Sequence, residues 1–423
     1  MFCRNKVLIH CSFFLFSVFV ALSLLIVCAF LPQAPVDEHV LESAKQMCSE
    51  DKNPYFADHS WGTKMSFTSE AIMFMESKGL SKDTLENVLA NTLYSYNDSN
   101  MYRDDLMSYA SGLEPDETVP YSRYWMGFRV TLRLMLQELS YFQIRRYTAI
   151  LFFVLFTAVI SSISKHCGSE LAILFGISIT FMNPHVIAVS LQSFTCFCIA
   201  FIAMLMVPAV SRHSKWESIF FMEIGIVTMY FDFYTNPLLT FGLPMIYLYL
   251  LNIDQNNHCN VLRIIKNALV WICGYGLMWV SKLILTNFFT SEAAIQTGIR
   301  SFLWRIRATS DPAYVEGYGP MDAFRASIST ILCDTAGKYI FLFLCLVVIC
   351  SFIVKFINTR KPIRTLKRYL PLLFIGILPF LWFSVASQPA VLHNHFQYRI
   401  IAISLWAVLS YFYLCTKSPD NAH

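Results

Sequence analysis

The feature that most constrains this chain is the length of its apolar blocks. Val7 to Leu31 follows Arg4 and Lys6 and contains no Asp, Glu, Lys or Arg. About 20 consecutive apolar residues suffice for an α-helix to cross the hydrocarbon of a bilayer. No small-residue cleavage site follows this block, so it reads as a signal anchor rather than a cleaved signal peptide. Further blocks fall at 146–163, 169–183, 185–208, 216–231, 237–251, 267–289, 338–357, 370–386 and 400–415. Only 14% of residues are charged and 56% are hydrophobic, against a charged share of about 25% in soluble domains. These blocks predict an all-α polytopic membrane protein with about ten transmembrane helices.

The charges suggest an orientation. With the N-terminus inside, the inner segments carry Lys165; Arg212 and Lys215; Arg263 and Lys266; Arg360, Lys361, Arg364, Lys367 and Arg368; and Lys417. Cytoplasmic loops carry such an excess of Lys and Arg, so both termini are expected in the cytoplasm. Five parts follow: the anchor, residues 1–31; an extracytoplasmic lobe between helices 1 and 2, residues 32–120; an interfacial segment, residues 121–145; a helix bundle, residues 146–415, with outer loops 290–337 and 387–399; and a cytoplasmic tail, residues 416–423. In the interfacial segment, apolar residues recur at helical spacing from Tyr121 to Phe142. Arg129, Arg133 and Gln137 line the opposite face. An amphipathic helix ending in Arg145-Arg146 is expected to lie in the outer interface.

The thirteen cysteines fall mostly in apolar blocks without Cys-x-x-Cys or Cys/His spacing. They read as small buried hydrophobes, not as a zinc site or disulfide framework. The basic residues are few and membrane-flanked, which argues against a nucleic-acid partner.

Four groups could carry chemistry. Asp232, in YFDFYTNPLLTFGLP, stands at the outer end of its block. It either caps the Asn236-Pro237 turn or forms the floor of an outward-facing site. In GIRSFLWRIR, Arg300, Arg305 and Arg307 alternate with Phe302, Leu303, Trp304 and Ile306. Guanidinium forks and an interfacial Trp suit an anionic lipid headgroup, though salt bridges to Asp311, Glu316 and Asp322 would also occupy them. His393 and His395 flank Asn394, and Arg399 follows. The histidines could contribute to a divalent-metal site, but lack an evident third ligand, and no cofactor is otherwise indicated; holding a phosphate or diphosphate suits them better. Glu70 is embedded among Phe67, Ile72, Met73 and Phe74, so partial desolvation would raise its pKa toward that of a general base. The other lobe acids, Glu76 among them, read mostly as solvated surface.

Several stretches together resemble bacterial multi-pass membrane proteins similar to GT-C-type glycosyltransferases, which use lipid-linked sugars. They are SFTSEAIM, YSRYWMGFRVTLR, PHVIAVSLQSF, YFDFYTNPLLTFGLP and LPFLWFSVASQPAVLHNHFQYR. They spread over the chain from about residue 66 onward, and YFDF-x-T-x-PL-x-T-x-G-x-P is the most specific. The resemblance implies a GT-C-like fold in a bacterial cytoplasmic membrane. It implies a lipid-linked sugar donor and an acceptor that is a glycan, lipid or protein. It places Glu70, or second Asp232, as the base. Arg300, Arg305, Arg307, His393, His395 and Arg399 would hold the phosphate, with Arg123 and Tyr124 closing the lipid cavity. The chain departs from the pattern where Ser66-Phe67-Thr68-Ser69-Glu70 replaces Asn-Phe-Thr-Asp, where Met126 replaces a His, and where Ser387-Gln388-Pro389 replaces Asn-His-Ser. Two other readings stand beside transfer: a lipid or sugar transporter, for which Glu223 is the best residue, and a non-catalytic membrane subunit of a glycan-assembly complex.

Overall fold

The computed structural model describes residues 2–51, 61–83, 85–96, 102–233, 235–253, 260–307, 317–332 and 362–416, with scattered helical positions between 338 and 353. About 81% of the described residues are helical. Among them six stretches are long and apolar enough to cross a membrane. They lie in α1 (Phe2–Ala29), α7 (Tyr141–Cys167), α10 (Leu191–Ser211), α13 (Val261–Phe289), the pair α16 (Pro362–Gly376) and α17 (Leu378–Val385), and the C-terminal run Asn394–Thr416. The last combines α19 (Asn394–Gln397), a short 3-10 turn and α20 (Ile401–Thr416). The architecture is that of an all-α polytopic membrane protein with a lobe between its first two long apolar helices.

The other expected spans differ in length. The expected block at 169–183 becomes α8 (Ser169–Thr180), 12 residues long. At about 1.5 Å per residue it reaches about 18 Å, well short of a hydrocarbon core of about 30 Å. The block at 185–208 is divided into α9 (Pro184–Val189) and α10. The backbone explains these interruptions. Gly168 adopts φ 104°, and Asn183 takes the left-handed conformation at φ 56° immediately before Pro184. Ser190 is extended between α9 and α10 and accepts a hydrogen bond from the Ser193 backbone. The blocks at 216–231 and 237–251 become α11 (Glu217–Phe231) and α12 (Leu239–Leu251), of 15 and 13 residues. The expected span 338–357 falls largely outside the described residues.

Three apolar cores hold the elements together. The largest joins α7, α8, α10, α12, α16 and α20 through residues such as Phe175, Phe201, Leu243, Tyr247, Ile403 and Trp406. A second seats the lobe on the bundle. There α2 (Gln33–Ser49) and α3 (Phe67–Lys78) bury Val36, Val40, Phe67 and Phe74 against Tyr141, Ile144, Val186 and Leu191. The third packs α1 against α11, α13 and α6 (Phe128–Met135).

The expected interfacial helix over 121–145 is helical at α6 and, from Tyr141, in the first turn of α7, and the basic face of α6 turns inward. Arg133 donates to the carbonyls of Cys28, Ser77 and Leu31 and to Gln33 Oε1. Arg129 donates to the carbonyl of Val88. Both arginines are 1% exposed. The stripe therefore ties α1, the lobe and the bundle into one unit, and the backbone carbonyls that receive it lie at helix ends and turns, where the helical ladder leaves acceptor capacity unused.

Candidate functional site

The lobe contains a two-stranded antiparallel sheet, β1 (Thr92–Ser95) and β2 (Glu117–Pro120), with Thr92 opposite Pro120. This register brings Asn91 beside the segment that leaves β2. The Tyr121 N–H donates to the Asn91 carbonyl at 2.8 Å. Ser122 Oγ accepts from the Asn91 N–H at 2.7 Å, and Asn91 Nδ2 donates to the Tyr124 carbonyl at 2.8 Å. On the other side α13 holds the same segment. Trp125 Nε1 donates to the Met278 carbonyl at 2.7 Å, and Trp279 Nε1 to the Arg123 carbonyl at 3.0 Å. Gly127 closes the turn by donating to the Tyr230 carbonyl at 2.7 Å, where a Cβ would collide with the Tyr230 ring.

The segment so fixed presents Arg123 and Tyr124 to α14 (Ala294–Arg307). The Arg123 guanidinium lies 4.1 Å from the Tyr121 ring centroid and 5.1 Å from that of Tyr124. Arg305 Nη2, from α14, lies 2.5 Å from the Tyr124 hydroxyl. The Phe233 ring packs 5.5 Å from Tyr124 and 6.1 Å from Tyr121. Two guanidinium groups thus converge over an aromatic base, and Arg123 Nε has no hydrogen-bond partner among the described residues.

The electrostatics follow from that convergence. Burial raises the Tyr124 pKa, but the charges of Arg305 and Arg123 outweigh it and bring it below the ordinary tyrosine value. Burial would lower Arg123, yet Tyr124 and Tyr121 hold its pKa above the usual value. His393 adjoins the cluster: burial and then the positive charge of Arg305 lower its pKa. Its side chain nevertheless keeps accessible surface. His393 therefore stands at the solvent-reached edge of the cluster.

The remaining expected site residues lie elsewhere or serve other contacts. Arg300 is exposed on α14, while Arg307 ends that helix with its side chain outside those described. Asp311 and Glu316 also lie outside the described residues. Asp322 is engaged at its own helix start, accepting from the Gly319 N–H at 2.9 Å. His395 is buried with its ring edge-on to Phe396. Arg399, 1% exposed, spends its donors on protein: the Met182 carbonyl at 3.2 Å, Ser193 Oγ at 2.5 Å and the Gly62 carbonyl at 3.5 Å. It clamps the lobe loop to the start of the last span.

Glu70 is fully buried on α3. One oxygen accepts from the Tyr141 hydroxyl and the other from the Leu191 N–H at 2.8 Å, the first residue of α10. Burial raises its pKa to about 7, opposed by Tyr141, Arg145 and the Leu191 and Ser190 hydrogen bonds. Both oxygens are engaged, so Glu70 docks the lobe onto the α9–α10 break. Asp232 follows α11 and folds onto the next turn. It accepts from the Thr235 N–H at 3.0 and 3.1 Å and from the Thr235 hydroxyl at 2.5 Å. That is the turn-capping geometry. Among the described residues no three His, Cys, Asp or Glu side chains converge as a metal site.

Sequence reasoning missed a second buried charge group. Glu76 (α3), Arg129 (α6) and Lys282 (α13) are all buried in the seam between lobe and bundle. The Glu76 pKa is raised to about 7 by burial, against the pull of Arg129, the Thr92 backbone and Lys282. The signal was present: Glu76 sits behind Met73, Phe74 and Met75, an apolar context like that of Glu70.

No protein-family model matches this chain, and no curated protein or solved structure matches it. The fold and the site define an all-α polytopic membrane-type protein carrying a cationic, aromatic cluster where its lobe meets its bundle.

Proposed function

We propose that the chain is a membrane glycosyltransferase-like protein that moves a sugar from a polyprenyl-phosphate carrier to an acceptor on the outer face of a bacterial cytoplasmic membrane. The observation that carries this reading is the meeting of Arg123 and Arg305 at Tyr124. Two like charges so close repel one another, and a phosphate relieves that repulsion while filling guanidinium donors in a bidentate fork. In a transfer reaction the same groups would stabilise the charge that develops on the leaving phosphate. An apolar tail has a surface to follow. Phe288 and Phe289 at the end of α13, and Ile299, Phe302 and Leu303 on α14, the helix that carries Arg305, are exposed. The positive-inside distribution supports both termini in the cytoplasm and the cluster on the outer side. The resemblance offers Glu70 as proton acceptor; because its oxygens are engaged, the phosphate site carries the reading and the acid does not.

The experiment is incubation of purified protein in lipid with labelled polyprenyl-phosphate sugars, reading release of free polyprenyl phosphate. Arg305→Ala and Arg123→Ala should each lower release on the order of 10-fold or more. Release that needs neither arginine, or no release with any donor, would overturn this function.

A further inference from the structure

The seam behind the Arg123–Arg305 cluster holds buried polar atoms without a partner among the described residues. Glu76 accepts from the Thr92 backbone through its carboxylate, yet its Oε1 has no partner among the described residues. The same is true of Asn91 Oδ1, Arg129 Nε and Thr286 Oγ1. All four residues are at most 4% exposed. They come from α3, the start of β1, α6 and α13, and the hydrogen bonds place them together. Lys282 donates to the Leu89 carbonyl and Arg129 to the Val88 carbonyl, so both reach the strand entry that continues into Asn91 and Thr92. Thr286 lies one turn beyond Lys282 on the same face of α13. Glu76, Arg129 and Lys282 are mutual charged neighbours, with Glu292 near the rim. The Trp125 ring lies 5.8 Å from Lys282 Nζ.

The orphaned atoms define what could sit there. Two are acceptors only, the carboxylate and amide oxygens; one is a donor only, the guanidinium N–H; the hydroxyl is either. An anion would satisfy Arg129 but face Glu76 and Asn91 with lone pairs. A cation would meet Arg129 and Lys282. A neutral group rich in hydroxyls, each able to donate and accept, satisfies all four. The geometry points to a buried subsite at Glu76, Asn91, Arg129 and Thr286 that takes the sugar of the lipid-linked donor. It adjoins the Arg123–Arg305 cluster, because Asn91 is bonded to the Tyr124 backbone. Naming the donor's sugar as the occupant rests on the phosphate reading, and the tests below separate the two.

Two measurements on the full chain in lipid nanodiscs decide it. The first adds methyl glucoside, galactoside or mannoside at high concentration and reads the thermal midpoint. At least one should raise the midpoint of wild type by a few degrees and leave Asn91→Ala and Thr286→Val unmoved. The second compares the Kd of bare polyprenyl phosphate with that of its hexose-bearing form. Wild type should prefer the hexose form by about tenfold. Glu76→Gln and Thr286→Val should lose the preference and keep the bare-lipid Kd. Should Glu76→Gln fail to fold, near-isosteric Thr286→Val still decides. Wild type that ignores every glycoside and binds both lipids alike holds only water in the seam, and the subsite is overturned; so is it if the variants keep the preference. Failure of the phosphate reading looks different: Arg305→Ala leaves the bare-lipid Kd unchanged, or wild type binds no phosphate lipid while its glycoside response persists.

Discussion

Arg305 and Tyr124 are 181 positions apart, and the guanidinium of one lies 2.5 Å from the hydroxyl of the other. The contact joins α14, which follows the fourth long apolar helix, to the segment leaving the lobe's small sheet. It turns two surface-type basic residues into one electrostatic unit, since Arg123 leans on the same ring. The hydroxyl is the acceptor here.

That unit has a pH signature. Cations favour the phenolate, so Tyr124 should ionise at lower pH than an ordinary tyrosine near 10. The phenolate then competes with an incoming phosphate for Arg305 and Arg123. Phosphate-lipid affinity should therefore fall as pH rises through the Tyr124 pKa, and Tyr124→Phe should flatten this fall. His393, lowered from its usual value, titrates on the acid side and leaves this limb unaffected. Ultraviolet titration of tyrosinate alongside lipid binding checks both points. An unchanged titration curve in Tyr124→Phe would refute the assignment.

Glu70 ties stability to pH with the opposite sense from a surface carboxylate. Its folded pKa is raised to about 7, above the unfolded value. Between those two values the native state holds a proton that the unfolded chain has released, so stability falls as pH rises. It should be greatest in mild acid, decline up to about pH 7 and then level. Glu76 acts in the same direction over the same window. Glu70→Gln should remove part of the slope with little change at acid pH. Glu70→Ala orphans the Leu191 N–H and should cost about 1–3 kcal/mol. Thermal midpoints from pH 5 to 8 decide it; a slope untouched by Glu70→Gln would show that the carboxyl is not the titrating group.

Asp232 is expected to act through the fold. Its carboxylate receives the Thr235 backbone and hydroxyl in a buried turn. Asp232→Asn keeps an acceptor there and should retain near-native stability, whereas Asp232→Ala should lose about 1–3 kcal/mol. Folded Asp232→Asn should also retain sugar release. If it folds like wild type and releases none, Asp232 has a chemical role beyond the turn.

Much of the bundle was legible because hydrophobic blocks report what must leave water. Helix length was less so. The left-handed Asn183 before Pro184 and the extended Ser190 divide one apolar stretch into two helices without interrupting its hydropathy. Arg129 and Arg133 were legible as a polar stripe, but their partners are backbone carbonyls of Val88, Cys28, Ser77 and Leu31. Every residue type has a carbonyl, so no side-chain pattern announces that contact. The arginine cluster was visible as residues on α14. Its focus at Tyr124 depended on a sheet register that places Asn91 beside Tyr121.

The close crossing of α11 and α13 rests on two glycines. On α11, a Cβ at Gly225 would press into the Trp271 carbonyl of α13; on α13, a Cβ at Gly274 would press into the Met222 carbonyl of α11. The neighbouring atoms are backbone and cannot swing aside, so an added methyl must move a whole helix. Small residues permit this approach between helices in a bilayer, where packing replaces the hydrophobic drive. Below the crossing, Arg263 and Asn267 of α13 hold Glu217 of α11, and that buried contact fixes the register while the glycines set the spacing. Gly225→Ala and Gly274→Ala should each lose about 1–3 kcal/mol. Because either methyl separates the same pair, the double variant should lose less than the sum. Thermal midpoints of the two single variants and the double variant in one lipid test it; full additivity would mean that the two glycines act at independent contacts.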